Sequence, residues 1–186
     1  YYGAVLSTRG RHEDAITALR TSLKMAVQFT GAASPLAVQN RLFLGEALMA
    51  AGQNEAASKE LAEGLRLGGE KLGTDNLFVI RVRLAQARLV LAKGDAERAA
   101  DRAIALFEPL RSIGTTARPV LAQALIVRGE ALMAERKPGD AVPLLTEAVQ
   151  IREALLWDQS WELAEARAGK SYKEVRDAIE VLNKAT

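Results

Sequence analysis

Few residues in this chain have the type and spacing to do chemistry. Ala164 to Ser171 reads AEARAGKS, close to the GxxxxGKS form of a phosphate-binding loop. Such a loop needs a strand before it, a glycine-rich turn and a helix that opens at the lysine. Trp161 to Ala168 are strong helix formers, so the context argues against a nucleotide site. His12 is the only histidine. No histidine cluster for a metal or a proton relay can be built around it, and it is expected to be exposed in a polar turn. There is no cysteine, which removes disulfides and thiolate metal sites. The carboxylates follow helix surfaces: Glu147, four residues before Ile151 and five before Arg152, reads as part of a solvated face. General acid–base or nucleophilic catalysis needs a convergent set of polar groups. None is visible, so the expectation is a non-enzyme with no catalytic residue, no metal and no cofactor.

Composition narrows the class further. Apolar residues make up 49% of 186 positions, enough for a sizeable core, while aromatics make up only 5%. Alanine is the commonest residue, which suits helices packed at close range. The net charge is +2, from 25 basic and 23 acidic residues that are interleaved throughout. A nucleic-acid binder would gather its basic residues on one face, so nucleic acid is not an expected partner. No apolar run approaches the roughly 20 residues that span a bilayer, and a signal peptide is not expected at the start of the sequence. A cytoplasmic location is the expectation. The sequence starts at Tyr1, inside what the repeat phase reads as a helix, so it is expected to be a fragment of a longer protein.

The elements that would position any site come from a repeat. Ala15, Ala57, Ala99 and Ala141 are each 42 residues apart. Leu6, Leu48, Val90 and Leu132 keep the same interval, as do Leu23, Leu65, Phe107 and Val149, and Gly3, Gly45, Ala87 and Gly129. A fixed period of this size is the signature of a stacked array. Each unit reads as two helices. In the second, Ser34 is placed as N-cap with Pro35 at the first helical position. Leu36, Val38, Leu42, Leu44, Ala47 and Leu48 follow at helical spacing. Gly52, Gln53 and Asn54 break the helix. A second helix carries Ala57, Leu61 and Leu65, ending near Gly68–Gly69 or Gly73. The third unit gives Leu77, Ile80, Leu84 and Ala87, a turn at Gly94–Asp95, then Ala99, Ala103 and Phe107. The fourth gives Leu121, Leu125 and Leu132, a turn through Pro138–Gly139–Asp140, then Ala141, Leu145, Ala148 and Val149. Pro143 is placed in the first turn of that last helix, where amides lack intrahelical partners. The recurring alanine follows each turn, where two helices approach most closely and only a methyl fits.

This pattern resembles the tetratricopeptide repeat (TPR). The residues that carry the likeness are Gly45, Leu48, Gly52, Ala57 and Leu61 in the second unit and Gly129, Leu132, Ala141, Leu145 and Ala148 in the fourth. In the first unit they are Gly3, Leu6, Gly10, Ala15 and Leu19. The 42-residue form, with a lengthened second helix, looks like the kinesin-light-chain type, and Ala141 to Leu156, AVPLLTEAVQIREALL, is especially similar to it. The early Trp of the pattern is missing in every unit, Ala87 replaces a glycine in the third and Arg136 the turn glycine in the fourth. The resemblance implies an all-α fold: a right-handed superhelical α-solenoid of antiparallel helix pairs. The expected organisation is one array over 1–186, with units at about 1–32, 33–73, 74–115 and 116–157. A closing helical region follows at 158–186, where Val175, Ile179 and Leu182 share a face.

In such solenoids the first helices line a concave groove. Mapped onto this chain, that property gives a stripe of Met49, Leu91 and Met133, with Glu46, Arg88, Glu130 and Lys170 beside it. A third row is Gln39, Arg81 and Gln123, next to Leu42, Leu84 and Ile126. These residues are the expected peptide-binding groove: flexible Met side chains for an adaptable apolar contact, alternating charges to set the register of a ligand. The competing reading is that the Met stripe packs between neighbouring helices and that Glu46, Arg88 and Glu130 pair among themselves. The Lys and Asn with which some TPRs clamp the acidic terminus of heat-shock chaperones are absent. The expected function is a protein–protein interaction scaffold that binds a peptide or helical segment. The alternative is a sensory or autoregulatory domain, acting on another domain of the same chain, in a larger bacterial signalling protein such as a kinase or transcriptional regulator.

Overall fold

A computed structural model describes residues 11–157. Gly3, Leu6, Gly10, the AEARAGKS stretch, Lys170 and the closing helical region at 158–186 lie outside the described residues. Among the described residues the regular elements are all helical. They are α1 (His12–Thr30), α2 (Pro35–Ala50), α3 (Asn54–Leu72), α4 (Leu77–Ala92), α5 (Ala96–Ile104), α6 (Phe107–Ile113), a short 3-10 turn (Thr115–Ala117), α7 (Arg118–Ala134) and α8 (Pro138–Trp157). The chain divides into two compact units, Tyr1–Leu89 and Val90–Thr186, described separately below.

The 42-residue interval is written into the backbone. Ala15, Ala57, Ala99 and Ala141 are all fully buried. Each alanine amide makes an early helical bond, to the carbonyls of Arg11, Gln53, Asp95 and Lys137. The turns before the last three close in one way. Gly52, Gly94 and Arg136 adopt positive φ, and their amides donate to Met49, Leu91 and Met133. The next residues, Gln53, Asp95 and Lys137, donate to Leu48, Val90 and Leu132. This pair of bonds caps a helix C-terminus through one left-handed residue, a conformation that glycine adopts without steric cost. Arg136 holds it at φ 62° with a Cβ in place.

Helix starts follow local chemistry. Ser34 Oγ accepts from Ala37 N at 3.1 Å, with Pro35 in the first turn, as expected. Asp95 Oδ1 accepts from Arg98 N, and Asn76 Oδ1 from Phe78 N.

In the N-terminal unit α1 packs on α2 and α2 on α3. The core holds Ala15, Ile16, Leu19, Val38, Leu42, Leu44, Leu48, Leu61, Val82 and Leu89. Two glycines of α3 set its distance from neighbours. A Cβ on Gly68 would lie 3.1 Å from Val79 and 3.2 Å from Val38, and one on Gly64 would lie 3.3 Å from Arg41 Cβ. Gly68–Gly69 therefore does not stop the helix, which runs to Leu72 and ends at Gly73. In the C-terminal unit α7 packs on α5, α6 and α8.

Two expectations about helix limits are corrected. Ala99, Ala103 and Phe107 do not share one helix: α5 ends at Ile104 and α6 begins at Phe107. Pro109 has no N–H for the Ala105 carbonyl, and its ring crowds that carbonyl, so the break falls one turn upstream. The fourth turn is at Glu135–Arg136–Lys137, and Pro138–Gly139–Asp140 already belongs to α8. Pro143 consequently sits inside the helix, just past its first turn, and offers no N–H to the carbonyl of Gly139, an exposed residue.

Candidate peptide-binding face

The first helices owe their surface to what their buried sides leave over. In the N-terminal unit, α2 and α4 bury Leu42 and Leu84 at 1% and 3% exposure. Both were expected on the groove wall. They are core residues, because α2 and α4 are apolar over a broad arc and these positions fall within it. Gln39, Glu46, Met49 and Arg81 are half-buried and Arg88 is exposed. Met49 also packs against the core cluster, so it serves both sides.

Glu46 and Arg88 meet across α2 and α4, with Arg88 Nη1 3.6 Å from Glu46 Oε1. Burial raises the Glu46 carboxyl above its usual value, against the pull of Arg88 and then Arg81. Arg81 also lies over the Phe43 ring, its guanidinium carbon 5.7 Å from the centroid, a cation–π distance. Phe43 was not among the expected site residues. Its signal was present, since it lies one turn after Gln39, the position corresponding to Arg81 in the repeat. Arg41, next to these groups in sequence, turns away to α3 and donates to Glu60 at 2.6 Å.

In the C-terminal unit, Gln123, Glu130 and Met133 of α7 are exposed, while Leu91 is half-buried against the cluster of Ala99, Ala100 and Ala131. Ile126, expected on the wall, is buried at 6%, again because α7 is apolar on most of its circumference. Arg128 Nη1 reaches α5 and donates to the Ala100 carbonyl at 3.0 Å. Glu147 is not simply solvated: it accepts from Arg111 at 3.2 Å and ties α8 to α6.

His12 is half-buried rather than exposed, with Nδ1 enclosed and unpartnered. It lines an open cleft of about 370 Å³ with Arg11, Glu13, Asp14 and Ala51. Among the described residues, no group of three or more His, Cys, Asp or Glu could hold a metal ion. Nor is any described helix long and apolar enough to cross a membrane.

By sequence, no family model and no curated relative matches the chain. Solved structures do match it in shape. BtubC (BKLC) from P. vanneervenii superposes with a TM-score of 0.68 at 20% identity, over 82% of this chain and 61% of that one. This chain thus spans less than two thirds of BtubC. A Podosopora anserina protein described as a kinesin light chain with nearly identical TPR-like repeats matches in two structures. One, of a point variant, has a TM-score of 0.67 at 19% identity, covering 98% of this chain and 89% of that one. The other has a TM-score of 0.66 at 15% identity, covering 98% and 92%. Together with the 42-residue helix pairs, these likenesses show that the chain has a TPR-like helical-repeat fold.

Proposed function

We propose that this chain is a protein-interaction scaffold that holds a peptide or helical segment against its first helices. One observation carries the reading. The first helices are largely buried, yet each leaves out a row of adaptable polar and apolar side chains. In the N-terminal unit that row is Gln39, Phe43, Glu46, Met49, Arg81 and Arg88; in the C-terminal unit it is Leu91, Gln123, Glu130 and Met133. Met side chains re-pack around varied apolar partners, and rim charges choose partners and register. Leu42, Leu84 and Ile126 support these rows from beneath. The named likenesses favour this use of the fold, because solenoids present extended binding surfaces. A cytoplasmic setting fits the absence of cysteine.

Selection of a displayed peptide library on the isolated chain tests the reading. Peptides held by the N-terminal row are expected to lose binding to Arg88→Ala, and those held by the C-terminal row to Met133→Lys, while both bind Arg66→Ala, a change at an exposed position of α3, as they bind wild type. Peptides indifferent to the first two changes, or a library that yields none, would overturn it.

A further inference from the structure

Asn40 is the polar residue in the buried core of the described chain, at 7% exposure. Ser22 Oγ of α1 donates to its Oδ1 at 3.1 Å. Its Nδ2 is buried with no partner. Turning the amide over would only exchange which atom is orphaned, since Ser22 has a single hydroxyl. A half-satisfied buried amide lowers stability, so its presence needs a reason.

The repeat supplies the comparison. Forty-two residues on, Ser22 and Asn40 become Gly64 and Val82. These face each other without polar atoms: a Cβ on Gly64 would lie 3.8 Å from Val82 Cγ1. The following positions, Leu106 and Ala124, are both fully buried apolar residues, and Ala148 continues the row. Successive repeats thus present strips that differ in size at this position, with Ser22, Gly64 and Ala148 on helices and Leu106 between α5 and α6. Of these, only the strip on α1 presents a hydroxyl at the position that Asn40 meets. Arrays of near-equivalent interfaces misassemble by swapping one for another, and a lone buried Asn fixes register in coiled coils by losing its partner in every wrong alignment.

We propose that Ser22–Asn40 is a register lock. It admits α2 onto α1 and penalises its docking on the second helix of another repeat, in this chain or in a second copy. The lock lowers the stability of the correct junction and disfavours the incorrect ones more.

The test is refolding of the full 186-residue chain from guanidinium over a series of protein concentrations, with species separated by size-exclusion chromatography and light scattering. Asn40→Val is expected to melt higher than wild type. It should nevertheless return about two-fold less of the wild-type species at the highest concentration, with the remainder in larger assemblies, as loss of one discriminating hydrogen bond implies. Ser22→Ala, a change at an exposed position, should melt lower and also return less of that species, because Asn40 then has no partner anywhere. Recovery of the wild-type species by Ser22→Ala at every concentration overturns the proposal, whether or not Asn40→Val folds. So does an Asn40→Val chain that melts lower than wild type and assembles as wild type does.

Discussion

Replacing Gly45 by alanine probes the closest approach to a described glycine in the N-terminal unit. A Cβ there would lie 2.6 Å from Leu61 Cδ2 and 2.7 Å from its Cγ. Leu61 is fully buried, so it has no free direction in which to retreat. Carbon atoms pack best at about 3.5–4.0 Å, which makes the overlap about 1 Å. Overpacking of this kind costs about 1–3 kcal/mol, and a contact this short belongs at the upper end. Against it stands the helix propensity of Ala over Gly, about 1 kcal/mol. Gly45→Ala should therefore destabilise by about 1–2 kcal/mol. Leu61→Ala alone removes buried methyl groups and should cost about 2–5 kcal/mol. In the double variant the new methyl enters the space that Leu61 vacates. Its cost should fall short of the sum of the singles by about 1 kcal/mol or more. The third repeat carries this exchange naturally: Ala87 and Ala103 stand where the second has Gly45 and Leu61, and both are fully buried. Urea unfolding followed by circular dichroism gives all four stabilities. Stabilisation by Gly45→Ala, or strict additivity of the pair, would refute the reasoning. Gly129 and Leu145 repeat the geometry, with a Cβ again 2.6 Å from Cδ2, and should behave alike.

Three further outcomes are expected. Arg136→Gly removes a side chain from a left-handed residue and should raise stability by about 0.5–1 kcal/mol; a lower melting temperature would contradict this. Glu46 has its carboxyl pKa raised above 4.5 by burial, so the folded state holds its proton more tightly than the unfolded chain. The stability this contributes is complete below pH 4.5 and is lost as pH rises through the folded value. Glu46→Gln should consequently melt at or above wild type near pH 7, with the difference closing toward pH 4; a deficit at pH 7 would mean that the Arg88 pair outweighs burial. Pro109→Ala restores an N–H for the Ala105 carbonyl and should increase the helical circular dichroism signal, whereas an unchanged signal would place the cause of the break in the burial of Leu106.

How much was legible in the sequence depended on how many physical causes each position answers to. The alanines answer to one, the close approach of helices beside a turn, and so they repeat without variation. The turn positions also answer to one, a left-handed residue, which let Arg136 be recognised as the substitute for a glycine. The groove stripe was read less well. First helices are covered both by their own partner and by the preceding second helix, as α2 is by α3 and α1. Their apolar positions therefore spread over a wide arc, and spacing alone could not tell Leu42, Leu84 and Ile126 in the core from Met49 and Met133 at its edge. Spacing left Gly68–Gly69 and Gly73 as alternative stops, because glycine in a helix has two meanings, termination and close packing, and only the neighbours Val38 and Val79 decide between them. Pro109 acts on a carbonyl four residues upstream, so its effect is displaced from its position in the sequence. Asn40 gave no signal at all until its apolar counterparts Val82 and Ala124 were set beside it.

The central claim is that the two-helix unit of residues 35–72 recurs two periods of 42 residues on with the same internal packing. A crystal structure tests it most directly, by superposing residues 35–72 on residues 119–156. The prediction is that Gly45 against Leu61 and Gly129 against Leu145 coincide, with Ala57 and Ala141 in the same enclosed position after their turns. Strands in either segment, or the two alanines in unlike surroundings, would contradict it.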